Sequence, residues 1–171
     1  MAVLPQNHTQ TLNLPNMETV IEIFYKAFSA LDAETMVACY HADIVFHDPA
    51  FGTLHGETAK NMWRMLCESQ KGKDFKIVFS DVVSDGSMGK AHWEAFYTFS
   101  KTGRKVHNII DAAFVLRDGK IIEHRDHFDL YRWAGQAMGI TGWMLGWTGF
   151  FKQKLQAQAQ GMLERFMQAR A

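Results

Sequence analysis

KVHNIIDAAFVLRDGKIIEHRDHFDLYRW, residues 105–133, is the stretch on which the reading of this chain turns. Two runs with apolar residues at alternate positions flank Arg117-Asp118-Gly119, the pattern of a β-hairpin. Acids, histidines and an asparagine are set among those apolar residues, with Asp126 at the centre of the second run. Facing an enclosed apolar side, Asp126 is a candidate acid or base; facing out, it is an ordinary surface charge.

The turn decides which. A two-residue Asp-Gly turn puts Asp111 opposite Asp126, two like charges at a destabilising position. A three-residue turn with Gly119 left-handed shifts the pairing by one. It sets Asp111 against Arg125, His107 against Asp129, Asn108 against Phe128, Ile110 against Asp126 and Ala112 against His124. In that expected register one face carries Asn108, Ile110, Ala112, Phe114, Ile122, His124, Asp126 and Phe128, and the other carries His107, Asp111, Arg125, His127 and Asp129. The first face is the apolar one. Hydrocarbon surroundings favour the protonated form of a carboxyl, which suits proton transfer near neutral pH. The preceding run, AHWEAFYTFS, alternates so that Trp93, Ala95, Tyr97 and Phe99 are expected inward, although the Lys101-Thr102-Gly103 turn leaves open the opposite parity, with Glu94 inside.

Working outward, helical spacing predicts a first helix capped by Asn16 with an apolar face of Val20, Ile23, Phe24, Ala27, Phe28 and Leu31, and a second capped by Asp32. Ile44–Pro49 reads as a short strand, Glu57–Gln70 as a third helix, and residues 75–83, 88–100, 105–116 and 120–131 as long strands. Helices come first and strands afterwards. That order predicts an α+β domain, a curved antiparallel sheet packed on N-terminal helices. Residues 1–15 read as a loose arm, 16–135 as the domain, and 136–171 as an apolar segment with an amphipathic C-terminal helix whose stripe docks on the domain or on a second subunit.

Eighteen basic and eighteen acidic residues leave no net charge, so no nucleic-acid partner is expected. Cys39 and Cys67 lack CxxC spacing and read as small buried hydrophobes, which suits a cytoplasmic location. From Trp133 to Phe151 there is no charged residue, but five glycines argue against a membrane span. A cover over a pocket or a subunit contact is expected there, and membrane association is not. His124 and His127 lie three apart on a strand, hence on opposite faces, and His41, His47, Asp48 and His55 match no ligand spacing, so no metal is expected. Met62, Trp63 and Leu66 read as core and pocket wall. The chain lacks a phosphate-binding glycine loop and an activated-serine motif, and no cofactor is expected.

CYHADIVFHDP, GETAKNMW and TGRKVHN…LRDGKIIEHRDHFDLYRW together resemble the nuclear-transport-factor-2-like superfamily, shared by ketosteroid isomerase, SnoaL-like polyketide cyclases and limonene epoxide hydrolase. The resemblance implies a cone-shaped fold with an internal pocket over residues 16–135, and homodimers through the outer sheet face. In the SnoaL-like and limonene-epoxide-hydrolase branches the first Asp of the RDxFD run is a pocket acid or base, which here is Asp126. The epoxide hydrolases also need an Arg and an Asp on the preceding strand, where this chain has Trp93 and Ala95, so epoxide hydrolysis by that mechanism is not implied. His47-Asp48 falls where the family brings polar residues in to position water or substrate. A ketosteroid-isomerase-like arrangement would use Asp48 as base and Asp126 as acid, aided by Tyr97.

The expected function is cofactor-free acid/base chemistry, an isomerase, cyclase, dehydratase or hydrolase acting on a small apolar molecule. Asp126, His124 and Asp48 are the catalytic candidates. Trp93, Tyr97, Asn108, Ile110, Phe128, His47 and Trp63 are the ligand-binding ones. The alternative is a noncatalytic ligand-binding or dimerisation module of the same fold, with His124 a satisfied core histidine and His47-Asp48 a strand terminus.

Overall fold

A computed structural model describes residues 18–170. Its helices are α1 (Val20–Ser29), α2 (Ala33–Ala38), α3 (Gly56–Gln70), α4 (Leu130–Met138), α5 (Ile140–Leu145) and α6 (Gly149–Gln168). Its strands are β1 (Tyr40–Asp48), β2 (Gly52–His55), β3 (Phe75–Ser84), β4 (Met88–Phe99), β5 (Arg104–Arg117) and β6 (Lys120–His127). The six strands form one sheet in the order β2-β1-β6-β5-β4-β3. The α+β reading holds, with one amendment: β1 joins β6 in parallel, inside an otherwise antiparallel sheet.

The helix starts follow local chemistry. Thr19 and Glu22 form a reciprocal capping box at α1, each side chain meeting the other's backbone N–H. The cap is therefore Thr19 and not Asn16, which lies outside the described residues, as does the expected arm 1–15. Asp32 caps α2 as predicted, accepting from Thr35 N at 3.1 Å. The buried face of α1, with Phe24, Tyr25 and Phe28, stacks Phe24 on Tyr40 and sets Phe24 and Phe28 edge-to-face with Trp63 and Phe28 with Trp93.

The β5–β6 hairpin differs from its expected register in an instructive way. Its turn is the two-residue one: Arg117 pairs with Lys120, and Asp118 and Gly119 both have left-handed φ, 52° and 71°. A bulge then consumes Ile122, so Leu116 pairs with Ile121 but Val115 pairs with Glu123. The like-charge clash is thereby avoided without a longer turn. Asp111 meets His127, Ala112 meets Asp126, Ala113 meets Arg125 and Phe114 meets His124. The parity of the faces survives, while each expected cross-strand partner is displaced by two residues. One member of the inner set changes with the bulge, since Ile121 is fully buried and Ile122 only half-buried.

The fourth long strand stops at His127, short of its expected end at Tyr131, because Asp129 caps α4 by accepting from Arg132 N at 2.9 Å. The expected His107–Asp129 pair is consequently absent, and His107 bonds Glu94. Where β6 leaves, α4 takes over the uncovered flank of β5. The Gln136 amide accepts from His107 N (2.7 Å) and donates to His107 O (3.1 Å), standing in for a neighbouring strand. Trp93, Ala95 and Tyr97 face inward, and Glu94 faces out beside His92 and His107.

The tail helix docks on the domain. Gln156 Nε2 donates to Pro49 O at 3.2 Å and Gln160 Nε2 to Phe51 O at 2.7 Å, which ties α6 to the β1–β2 turn. Ala159 and Leu163 are buried beneath it. Among the described residues no helix is long and apolar enough to cross a membrane.

Candidate active site

The inner face of the sheet, α3 and α6 enclose a cavity of about 260 Å³. Its walls are mostly aromatic: Phe28, Phe46, Phe51, Phe75, Phe99 and Phe128 with Trp63, Trp93, Trp133 and Tyr97. Leu155, Gln158, Ala159 and Met162 of α6 supply one side. Of the residues expected in the pocket, Asp126, Asp48, Trp63, Trp93, Tyr97, Asn108, Ile110 and Phe128 all line it. His47 does not. Strand alternation puts Phe46 and Asp48 inward and turns His47 outward, where Nδ1 meets Thr53 Oγ1 at 2.9 Å.

Asp126 is the end of a buried hydrogen-bonded chain. Trp63 Nε1 donates to Tyr40 Oη at 2.7 Å, Tyr40 Oη and His124 Nδ1 lie 2.7 Å apart, and His124 Nε2 is 3.0 Å from Asp126 Oδ1. Trp93 Nε1 donates to the same Oδ1 at 3.1 Å. The proton positions follow from the inventory of donors. Trp63 can only donate, so Tyr40 Oη accepts from it. Burial, reinforced by the charge of Asp126, pushes the Tyr40 phenol well above its usual range, so it keeps its proton. That proton goes to His124 Nδ1, leaving the Nε2–H tautomer to donate to Asp126. Every bond recorded for Asp126 is thus a donor aimed at Oδ1, an arrangement built for an acceptor.

His124 is fully buried and does not reach the cavity. It stacks on Trp63 (5.9 Å between ring centres) and lies against the rings of Phe24, Phe46 and Phe114. This packing fixes the ring plane and hence the direction from which it meets Asp126. Asp126 lines the cavity while its side chain is only 4% exposed. Its Oδ2 has no protein partner among the described residues, and it is not among the buried, unsatisfied atoms.

Asp48, at the end of β1, is the second carboxyl of the cavity. Phe51 N donates to its Oδ1 at 2.5 Å across the Pro49-Ala50 turn. Burial pushes its pKa up to about 7; the Phe51 N–H works against that, and the negative charge of Asp126 adds to it. Tyr97 Oη accepts from Trp133 Nε1 at 2.7 Å, and burial raises its phenol as well. Among the described residues, no three His, Cys, Asp or Glu side chains gather as a metal-ligand set.

The sequence matches a known family and the fold matches known structures. A family model described as a SnoaL-like domain fits residues 21–124. The chain belongs to this family. Its SnoaL-like fold is shared by solved structures of low identity. An LEH-like epoxide hydrolase of M. tuberculosis is 21% identical, with 73% of this chain and 92% of that one covered at a TM-score of 0.54. Bal32a, from a soil-derived mobile gene cassette, is 22% identical, with 69% and 93% covered at 0.59. A Catenulispora acidiphila protein of ketosteroid-isomerase-like fold, in complex with trimethylamine, is 12% identical, with 69% and 91% covered at 0.57. No curated protein sequence matches the chain. These likenesses concern the fold; in this SnoaL-like chain Trp93 and Ala95 of β4 line the cavity.

Two participants were not expected from sequence. Tyr40 reads in the sequence as the last apolar residue of the second helix, whereas α2 ends at Ala38 and Tyr40 opens β1 opposite Ile121. Its burial beside Trp63 depends on that non-local pairing. The α6 wall was likewise unassigned to the pocket. The stripe of Leu155, Ala159 and Met162 at helical spacing was the available signal.

Proposed function

We propose that this SnoaL-like protein binds a flat apolar molecule in the cone and moves a proton on it without a cofactor. Asp126 acts as the base, through the Oδ2 that its donors leave to the cavity. Asp48, protonated up to about pH 7, acts as the acid. These roles reverse the arrangement that the ketosteroid-isomerase resemblance suggests. The carrying observation is the Trp63–Tyr40–His124–Asp126 chain, in which three buried residues in series set His124 against one oxygen of a carboxylate at the wall of an aromatic cavity. A carboxylate bonded at one oxygen in the wall of a ligand-sized space is placed to meet a bound molecule with the other. The family's fold also occurs in proteins described as hydrolase and isomerase-like, which supports the reading at the level of fold.

The chemistry requires a substrate with a weakly acidic C–H or O–H beside a group that takes up negative charge. Asp126 removes the proton, and Asp48 donates to the developing oxyanion. Trp93 and His124 keep Asp126 from rotating, so the base is already aimed when the molecule binds. The bicyclic ketone 2-tetralone is a suitable probe. In deuterated buffer the wild type is expected to speed exchange of its α-protons, read by proton NMR, and Asp126→Asn to lower that enhancement about 10²- to 10⁴-fold. If 2-tetralone binds wild type and Asp126→Asn alike and exchanges equally fast with both, Asp126 is not a base and the pocket is a binding site alone.

A further inference from the structure

The segment Ile140–Phe150 is packed inside out. In α5 the small residues face the protein and the large apolar ones face water. Gly142 lies so close to α4 that a Cβ there would sit 1.8 Å from Ala134 O, and one on Gly146 would sit 2.8 Å from Ala134 Cβ. On the other side Ile140 is 80% exposed, Met144 66%, Trp147 74% and Phe150 72%. A helix stabilised by burial in water does the reverse. Small residues between helices and large apolar ones outward are the arrangement of helices whose surroundings are hydrocarbon.

Charge indicates which apolar environment fits. No charged residue occurs between Trp133 and Phe151, and no acid between Leu130 and Leu163, while Arg132, Lys152 and Lys154 flank the exposed side chains. None of these three bases is in an ion pair among the described residues. Two indoles and a phenyl at the tip, with cations just behind, match the interfacial layer of a bilayer bearing anionic headgroups. The same helix that carries Phe150 and Lys152 at its start supplies Leu155 and Met162 to the cavity wall.

We propose that the tip formed by α5 and the start of α6, with Trp147 and Phe150, seats the protein on an anionic lipid surface as a peripheral contact. This departs from the expectation for the uncharged segment, which was a pocket cover or subunit contact without membrane association. The tip inserts shallowly; α4 holds it through the Gly142–Ala134 contact, and the lysines meet the headgroups.

The test is co-sedimentation of the full chain at low salt with vesicles of phosphatidylcholine alone or with one third phosphatidylglycerol. Wild type is expected to pellet with the anionic vesicles and to be released by high salt. The pair Trp147→Ser and Phe150→Ser is expected to weaken pelleting more than about 100-fold, and Lys152→Gln with Lys154→Gln to weaken it about 10- to 30-fold on anionic vesicles only. Asp126→Asn should pellet like wild type, so this inference and the proposed proton transfer fail separately. Absence of pelleting with either vesicle, or pelleting that the Trp147/Phe150 pair does not diminish, overturns the proposal. A solution mass that falls from dimer to monomer in that pair, without vesicle binding, overturns it in favour of contact with a second copy.

Discussion

The cone and the α5 tip use the same kinds of side chain in opposite directions. In the cone, large rings point inward and the indole N–H groups of Trp63 and Trp93 bond Tyr40 and Asp126, while the Tyr25 hydroxyl is buried without a partner among the described residues. At the tip, glycines point inward and the rings are left in solvent. Composition does not separate these regions, since both are rich in Trp and Phe. What separates them is which residues the backbone allows into the contact: sheet alternation selects every second residue, while the α4–α5 crossing is too close for anything larger than hydrogen at Gly142.

Substitutions can break this contrast at several depths. The largest effect on stability is expected inside the cone. Tyr40→Phe removes one hydroxyl but strands both Trp63 Nε1–H and His124 Nδ1 in a buried site, each at about 1–3 kcal/mol. Urea denaturation should therefore show a loss of about 2–6 kcal/mol. A loss below the experimental error would mean that the chain of bonds is not formed. At the tip, Gly142→Ala forces a methyl group against a backbone carbonyl and should cost about 3 kcal/mol, felt locally. Hydrogen exchange should then lose protection over Ile140–Leu145 while β4 to β6 stay unchanged.

Asp48 gives a smaller, pH-dependent signal. Its folded value of about 7 lies above the ordinary 3.8, so between those values the folded state binds more protons than the unfolded. The stability this provides is complete below about pH 4 and is lost as pH rises through about 7. Asp48→Asn lacks that dependence, so its melting temperature relative to wild type should rise from pH 4 to pH 8; a constant difference would remove Asp48 from the buried site. The smallest effect should be Trp147→Ser. The ring is exposed and its Nε1 meets only Met144 O, so unfolding free energy should change by less than about 0.5 kcal/mol. A larger loss would mean that the tip is covered in solution and that the contrast with the cone is false.

The same contrast marks how far the sequence could be read. Alternation in β5 and β6 was enough to place Asn108, Ile110, Phe114, His124, Asp126 and Phe128 on one face, because a period of two survives any even shift of register. The partners were not legible. Two devices, a tight Asp118-Gly119 turn and a bulge at Ile122, compensate one another, and neither alone follows from local pattern. The resemblance offers His47 and Asp48 together, but on a strand only one of two neighbours can face the cavity, and it is Asp48.

By itself, the amino-acid sequence determined the α+β class, the hairpin and the shared face of Asn108, His124 and Asp126, while it left open whether Trp93 and Tyr97 or Glu94 turn inward. Each of these rests on short-range periodicity or on a local cap, properties that a dozen neighbouring residues decide. Only the tertiary structure decided that Tyr40 joins Trp63 to His124 and that Asp48 shares the cavity with Asp126. It alone decided that α6 closes the pocket and that Trp147 and Phe150 are turned to solvent. Those outcomes depend on which distant segments come within a few ångströms. Desolvation, hydrogen-bond partners and exposure are properties of that meeting and not of either segment alone.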